Sequence, residues 1–121
     1  MPHTLIWETD GLYRKFTGEI STVEILNSNF KLHEHPEFKN IKYIINDFTE
    51  VTVHSVEDSH TSVFANTDEI IANTKGKLKI AIFIIQPNFI SLVEKYCEEM
   101  KHNRFDCRMF KNIEDAREWV N

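Results

Sequence analysis

The chain is 121 residues long, 41% hydrophobic and 27% charged, which suits one domain spanning 1–121 with a core of its own and excludes a disordered chain. Asp and Glu outnumber Lys and Arg by 19 to 14, for a formal net charge of −5. That balance argues against nucleic acid as the main partner, because duplex binders draw affinity from neutralising phosphates with a basic face.

Thr4–Glu8 carries strand formers and leads into Asp10-Gly11, a dipeptide that favours a tight hairpin. Leu12–Thr17 is then expected as a second, antiparallel strand ending at Gly18. Ser21-Thr22-Val23-Glu24 has the spacing of a capping box. Val23, Leu26 and Phe30 follow at helical intervals, and Pro36 closes that helix. Ile41–Phe48 is a short, mostly apolar run and is expected as a buried parallel strand.

Ser55–Asp58 begins a second helix. Val56, His60, Val63, Thr67, Ile70 and Thr74 share one of its faces, Phe64 and Ile71 lie beside it, and Gly76 stops it. Leu78–Ile85 has the near-continuous β-branched and aromatic character of a central strand covered on both sides. Pro87 fits the first turn of a third helix, which places Phe89, Val93, Tyr96, Cys97 and Met100 on one face. Phe105, Cys107 and Met109 alternate with Asp106 and Arg108, the period of a half-buried edge strand. Asn112 caps a last helix with an apolar stripe of Ile113, Ala116, Trp119 and Val120. The order is β-β-α-β-α-β-α-β-α, an α/β chain with a mostly parallel sheet and an antiparallel N-terminal hairpin at its edge. Nothing repeats internally and no low-complexity linker divides the chain.

Several segments resemble the SpoIIAA-like, or STAS/SEC14-type, family of small bacterial proteins. His35-Pro36-Glu37-Phe38 leads into Ile44-Ile45-Asn46-Asp47-Phe48, and Lys79-Ile80-Ala81-Ile82-Phe83 resembles the family's Lys-hydrophobic-Ala-hydrophobic strand. Met109–Val120 is similar to its ending, with Glu114-Asp115-Ala116 and Trp119-Val120 in place. The resemblance implies the STAS fold and two functional expectations. One is a non-catalytic module that captures a small hydrophobic or amphipathic ligand, with at most peripheral membrane association. The other is a regulatory protein that docks onto a kinase or another protein partner, as anti-sigma-factor antagonists do. Phosphorylatable antagonists carry an Asp-Ser-Ser/Thr-Gly turn where this chain has Asp47-Phe48-Thr49-Glu50. Thr49 and Ser55, on the loop before the second helix, are then the candidate phosphoacceptors.

No catalytic or metal constellation stands out. His33 and His35 are two apart and diverge on a helix, so they chelate poorly, and a helix C-terminus favours His through its dipole. His60 falls on an apolar helix face and reads as a core histidine. Ser55, Asp58 and Ser59 read as helix-start residues rather than partners of His54 or His60 in a Ser-His pair. Cys97 and Cys107 lack C-x-x-C or zinc-finger spacing. They read as reduced, inward-facing packing residues of a cytoplasmic protein. Glu98-Glu99 and Glu114-Asp115 are consecutive on helices and diverge. With only 3 glycines there is no Gly-rich phosphate loop, and no cofactor is implied. Met1–Asp10 has no basic segment followed by an apolar run, and the Leu78–Ile85 run is too short to span a bilayer.

In open parallel sheets, ligands bind beyond the carboxyl ends of the strands. Here Asp47-Phe48-Thr49, Gln86-Pro87-Asn88-Phe89 and Phe110-Lys111-Asn112 occupy those ends. The candidate ligand-binding residues are Asp47, Phe48, Thr49, Phe64, Gln86, Asn88 and Phe89, with Glu50–His54 as a flap. The alternative is that the phenylalanines finish the core and the polar residues cap helices.

Overall fold

A hairpin sets one edge of the sheet, but its turn is Thr9-Asp10 rather than Asp10-Gly11: the Glu8 amide donates to the Gly11 carbonyl at 2.7 Å, and Gly11, without a positive φ, is the first residue of the second strand. In the computed structural model, which describes residues 3–56, 60, 63–66, 77–102 and 105–121, β1 (His3–Trp7) and β2 (Gly11–Ile20) run antiparallel from Trp7 opposite Leu12 to His3 opposite Phe16. β3 (Tyr43–His54), β4 (Leu78–Phe83) and β5 (Phe105–Phe110) then add in parallel, in the order β1-β2-β3-β4-β5. The described helices are α1 (Thr22–Glu34), α2 (Pro87–Glu99) and α3 (Ile113–Val120), with 3₁₀ turns at Pro36–Asn40 and Met100–His102. Residues 60 and 63–66 are also helical. The expectations for Asp58, Ser59, Thr67, Ile70, Ile71, Thr74 and Gly76 lie outside the described residues.

Period-two alternation divides the core between the two faces of the sheet. Leu12, Phe16, Ile44, Phe48, Ile80, Ile82 and Phe105 pack with Ile25 and Leu32 of α1 and Phe89, Leu92 and Val93 of α2. On the other face, Tyr43, Ile45 and Ala81 pack with Ala116 and Val120 of α3. β3 and β4 are therefore covered on both sides, as their near-continuous apolar sequences require. Full burial of a side chain such as Phe16 or Phe105 stabilises the fold by about 1.5–3 kcal/mol.

Helix starts follow the sequence signals closely. The Ser21 hydroxyl accepts from the Glu24 amide at 3.2 Å, Pro87 occupies the first turn of α2, and Asn112 Oδ1 accepts from the Asp115 amide at 2.8 Å.

Other expectations are corrected. Gly18 does not end β2. It adopts φ 71° beside a register shift, a conformation open to glycine, and the strand continues to the fully buried Ile20. That extra length supplies partners for Glu50–His54, so this segment is the second half of β3 rather than a flap: Gly18 pairs with Val51 and Ile20 with His54. The stripe Val23/Leu26/Phe30 is not the buried face of α1. Val23 is 64% and Phe30 48% exposed, whereas Ile25, Ser28 and Leu32 are buried. Ser28 turns inward because Arg14 of β2 donates to it. Among the residues near position 60, Val63 is exposed while Phe64 and Ala65 are buried. Cys97 and Cys107 are half-buried rather than buried.

Candidate functional site

Leu12, Arg14 and Phe16 share one phase of β2, and Ile44, Asn46 and Phe48 share the matching phase of β3. The face that carries the main core therefore also receives a guanidinium and an amide. Arg14 is only 3% exposed. Its Nε donates to Asn46 Oδ1 at 2.9 Å, Nη1 donates to Ser28 Oγ at 3.0 Å, and the group lies 5.0 Å from the Phe16 ring centroid. A buried cation is tolerated where its protons are hydrogen-bonded, and the inward turn of Ser28 supplies one of those bonds.

Beside this cation the sheet, α1 and α2 leave a cavity of about 90 Å³. Phe48, Phe64, Phe89, Leu92 and Tyr96 supply much of its apolar wall, and Arg14, Asn46 and His33 supply polar groups. The His33 ring packs against Phe38 with centroids 4.9 Å apart, and its Nδ1 is buried with no hydrogen-bond partner among the described residues. Burial, and then the positive charge of Arg14, lower the His33 pKa to about 4. At neutral pH the polar side of the cavity thus holds one cation and a neutral imidazole.

The predicted ligand residues divide between the two faces. Phe48, Phe64 and Phe89 line the cavity together, with Phe48 stacked on Phe16 and tilted against Phe89 at 5.5 Å. Asp47, one residue out of phase with Phe48, points to the opposite face. There it accepts from the Tyr13 hydroxyl, the Thr49 amide at 2.9 Å and the Thr49 hydroxyl at 2.7 Å. Burial first, and then Asp47, raise the Tyr13 pKa, so this phenol stays protonated. Gln86 ties chains together: its Nε2 donates to the carbonyls of Phe48 at 2.7 Å and Val51 at 2.8 Å. Asn88 lies in the first turn of α2, and its side chain is outside the described residues. Ser55 is exposed, and its amide donates to the Ile20 carbonyl.

The histidines go separate ways. His35 stacks on Trp7 at 4.2 Å and accepts from the Glu37 amide, His54 stacks on Phe89 at 4.3 Å, and His60 Nδ1 lies 2.7 Å from Thr22 Oγ1. Among the described residues no three His, Cys, Asp or Glu side chains converge as a metal site, and no helix is long and apolar enough to cross a membrane. Sequence reasoning missed Arg14, Asn46 and His33. The available signal was phase: Arg14 sits between Leu12 and Phe16 at an inward position, where a charge requires explanation.

No protein-family model matches the chain, and no curated protein matches it in sequence. Among solved structures, the anti-sigma factor antagonist SpoIIAA in its unphosphorylated form is similar over 98% of this chain and 97% of its own, with a TM-score of 0.65 and 12% identity. An uncharacterized protein of the DUF3478 family with a SpoIIAA-like fold, from Shewanella loihica PV-4, is similar over 99% of this chain and 93% of its own. Its TM-score is 0.58 and its identity 15%. At such identities the likeness is one of architecture, and the chain has the SpoIIAA-like (STAS) fold that its local motifs imply.

Proposed function

We propose that the chain is a non-catalytic binding module that holds a small hydrophobic or amphipathic ligand in the cavity between the sheet and helices α1 and α2. The observation that carries this reading is an apolar wall of Phe48, Phe64 and Phe89 with the buried Arg14 set into its side. Ligand sites combine mostly apolar walls with a few placed polar groups. A cavity of about 90 Å³ takes a short alkyl group or part of a ring, since roughly 150 Å³ accommodates benzene. The charge of Arg14 favours an anionic or hydrogen-bond-accepting head group. Among the described lining residues there is no Ser, Thr or Cys for His33 to activate as a nucleophile.

Intact mass of freshly purified protein tests the reading. An adduct present under native conditions and lost on denaturation is expected, and it should be weakened in folded Phe48→Asp or Phe89→Asp protein. A bare mass in both states, together with no binding of an added apolar fluorescent probe, overturns it.

A second reading, a regulatory interaction domain of the anti-sigma-antagonist type, draws on the likeness to SpoIIAA and on the exposed Ser55 between β3 and the helical residues that follow. The Thr49 hydroxyl already donates to the buried Asp47, so a phosphate there would face a carboxylate. Ser55 is the acceptor this reading favours. Phosphate incorporation from a cellular extract and ATP that disappears in Ser55→Ala supports it, and no incorporation overturns it.

A further inference from the structure

Cys97 lies in the last turn of α2 and Cys107 in the middle of β5. The helical stripe and the strand alternation bring the two together, with Sγ atoms 3.3 Å apart. Both are half-buried thiols. They open onto a surface hollow bordered by Glu94, Glu98, Lys101, Asp106 and Arg108, so a small polar reagent can reach them. A disulfide has an S–S length of about 2.05 Å, and the two sulfurs need to approach by only roughly 1.3 Å to reach it.

We propose that Cys97 and Cys107 form a reversible dithiol–disulfide site whose oxidant is a low-molecular-weight disulfide of the glutathione type. The hydrogen bond from Cys107 holds the Cys97 thiol below its ordinary pKa, while burial, Asp106 and Glu94 oppose it. Either thiol can open the exchange; with Cys97 attacking, Cys107 resolves. The Cys97 thiolate attacks one sulfur of the small disulfide, whose S–S bond breaks. One small thiolate leaves and takes up the proton that Cys97 released. Cys107 then loses its proton and attacks Cys97 Sγ, and the second small thiolate leaves with that proton. Two protein thiols are oxidised, one small disulfide is reduced to two thiols, and no further reactant is needed. The new bond fastens the end of α2 to β5 across the Met100–His102 turn. It does not depend on what the cavity holds.

The test equilibrates the folded protein in buffers of oxidised and reduced glutathione, quenches with acid, alkylates, and reads intact mass. At the oxidising end the expected product is a single chain that has lost two hydrogens and takes up no alkyl group, returning to a doubly alkylated chain after reduction. Cys107→Ser should accumulate a mixed disulfide on Cys97, and Cys97→Ser one on Cys107, because each variant lacks the resolving thiol. Wild-type protein that stays doubly alkylated throughout, or that yields only disulfide-linked pairs of chains, overturns the site. Serine variants that trap no mixed disulfide overturn thiol–disulfide exchange as the route.

Discussion

Arg117 and Glu8 meet through two parallel hydrogen bonds, Nη1 to Oε1 at 2.6 Å and Nη2 to Oε2 at 2.8 Å, across 109 positions of sequence. The pair fastens α3 to the hairpin that opens the chain. The Tyr43 hydroxyl donates to the same carboxylate, and the guanidinium lies 5.6 Å from the Tyr13 ring centroid. The α3 face of the sheet thus passes from the apolar cover of Ala116 and Val120 to a polar cluster over β2 and β3.

Breaking this fork should cost about 1 kcal/mol, because both partners are partly exposed and solvent screens them. Arg117→Lys keeps the charge but loses the planar fork, and is expected to recover only part of what Arg117→Ala loses. Hydrogen bonding by Arg117 holds the Glu8 carboxyl below its ordinary range, against the effect of burial, and the Tyr43 hydroxyl assists. A carboxylate depressed in the fold contributes stability above its unfolded pKa and loses it as pH falls through the folded value. The gap between wild type and Arg117→Ala should therefore shrink as pH drops below about 4. Urea melts at neutral and acid pH check this. An unchanged gap at acid pH would assign the effect to packing.

Gly11 stands directly against the ring of Tyr43, in its register partner's position on β3. A Cβ at Gly11 would fall well inside van der Waals contact with that ring, and the ring is held by burial and by its bond to Glu8. Gly11→Ala is expected to destabilise by about 1–3 kcal/mol. The penalty should be smaller when Tyr43→Ala is already present, which a double-mutant cycle measures. Additive penalties would place the strain in the hairpin backbone instead.

Arg14→Met removes the donor from Asn46 Oδ1 and Ser28 Oγ, both buried. The expected loss is about 2–4 kcal/mol in chemical denaturation. Adding Asn46→Leu to the same chain should restore about 1 kcal/mol, because it removes one of the two acceptors that Arg14→Met strands, leaving Ser28 Oγ. No restoration would mean that the guanidinium acts mainly through its stem and its contact with Phe16.

Arg14 also marks what local sequence reading resolves and what it does not. The capping box at Ser21, Pro87 at the start of α2, the Asn112 cap and the alternation of Phe105, Cys107 and Met109 are local signals, and the structure follows each. The α1 face departs from the Val23/Leu26/Phe30 stripe because its inward serine is bonded to an arginine 14 positions away. β3 runs beyond its apolar stretch for a related reason: Thr52 and Val53 are exposed, and their strand conformation depends on β2 continuing past the bulge at Gly18. Phe48, Phe64 and Phe89 were grouped by the sequence and do line one cavity. Asp47 and Thr49 were grouped with Phe48 by adjacency, although a strand sends neighbours to opposite faces. Two inward-facing cysteines were legible as inward, but their meeting is a matter of where α2 ends relative to β5.

His33 gives the fold a pH dependence of its own. Its ring is half-buried beside Phe38, and burial with the charge of Arg14 brings its pKa to about 4 from an ordinary 6.5. Between these values the unfolded chain binds a proton that the folded chain refuses, so stability falls as pH is lowered from about 6.5 and levels off below about 4. Because the ring is only half-buried, screening reduces the effect to about 1 kcal/mol. His33→Gln should flatten that part of the profile while leaving the Glu8 contribution at lower pH in place. Arg14→Met should raise the His33 pKa, since it removes the opposing charge, and NMR titration of the ring reads this directly. A His33 that titrates near 6.5 in the wild-type fold would remove both effects and show that water reaches the ring.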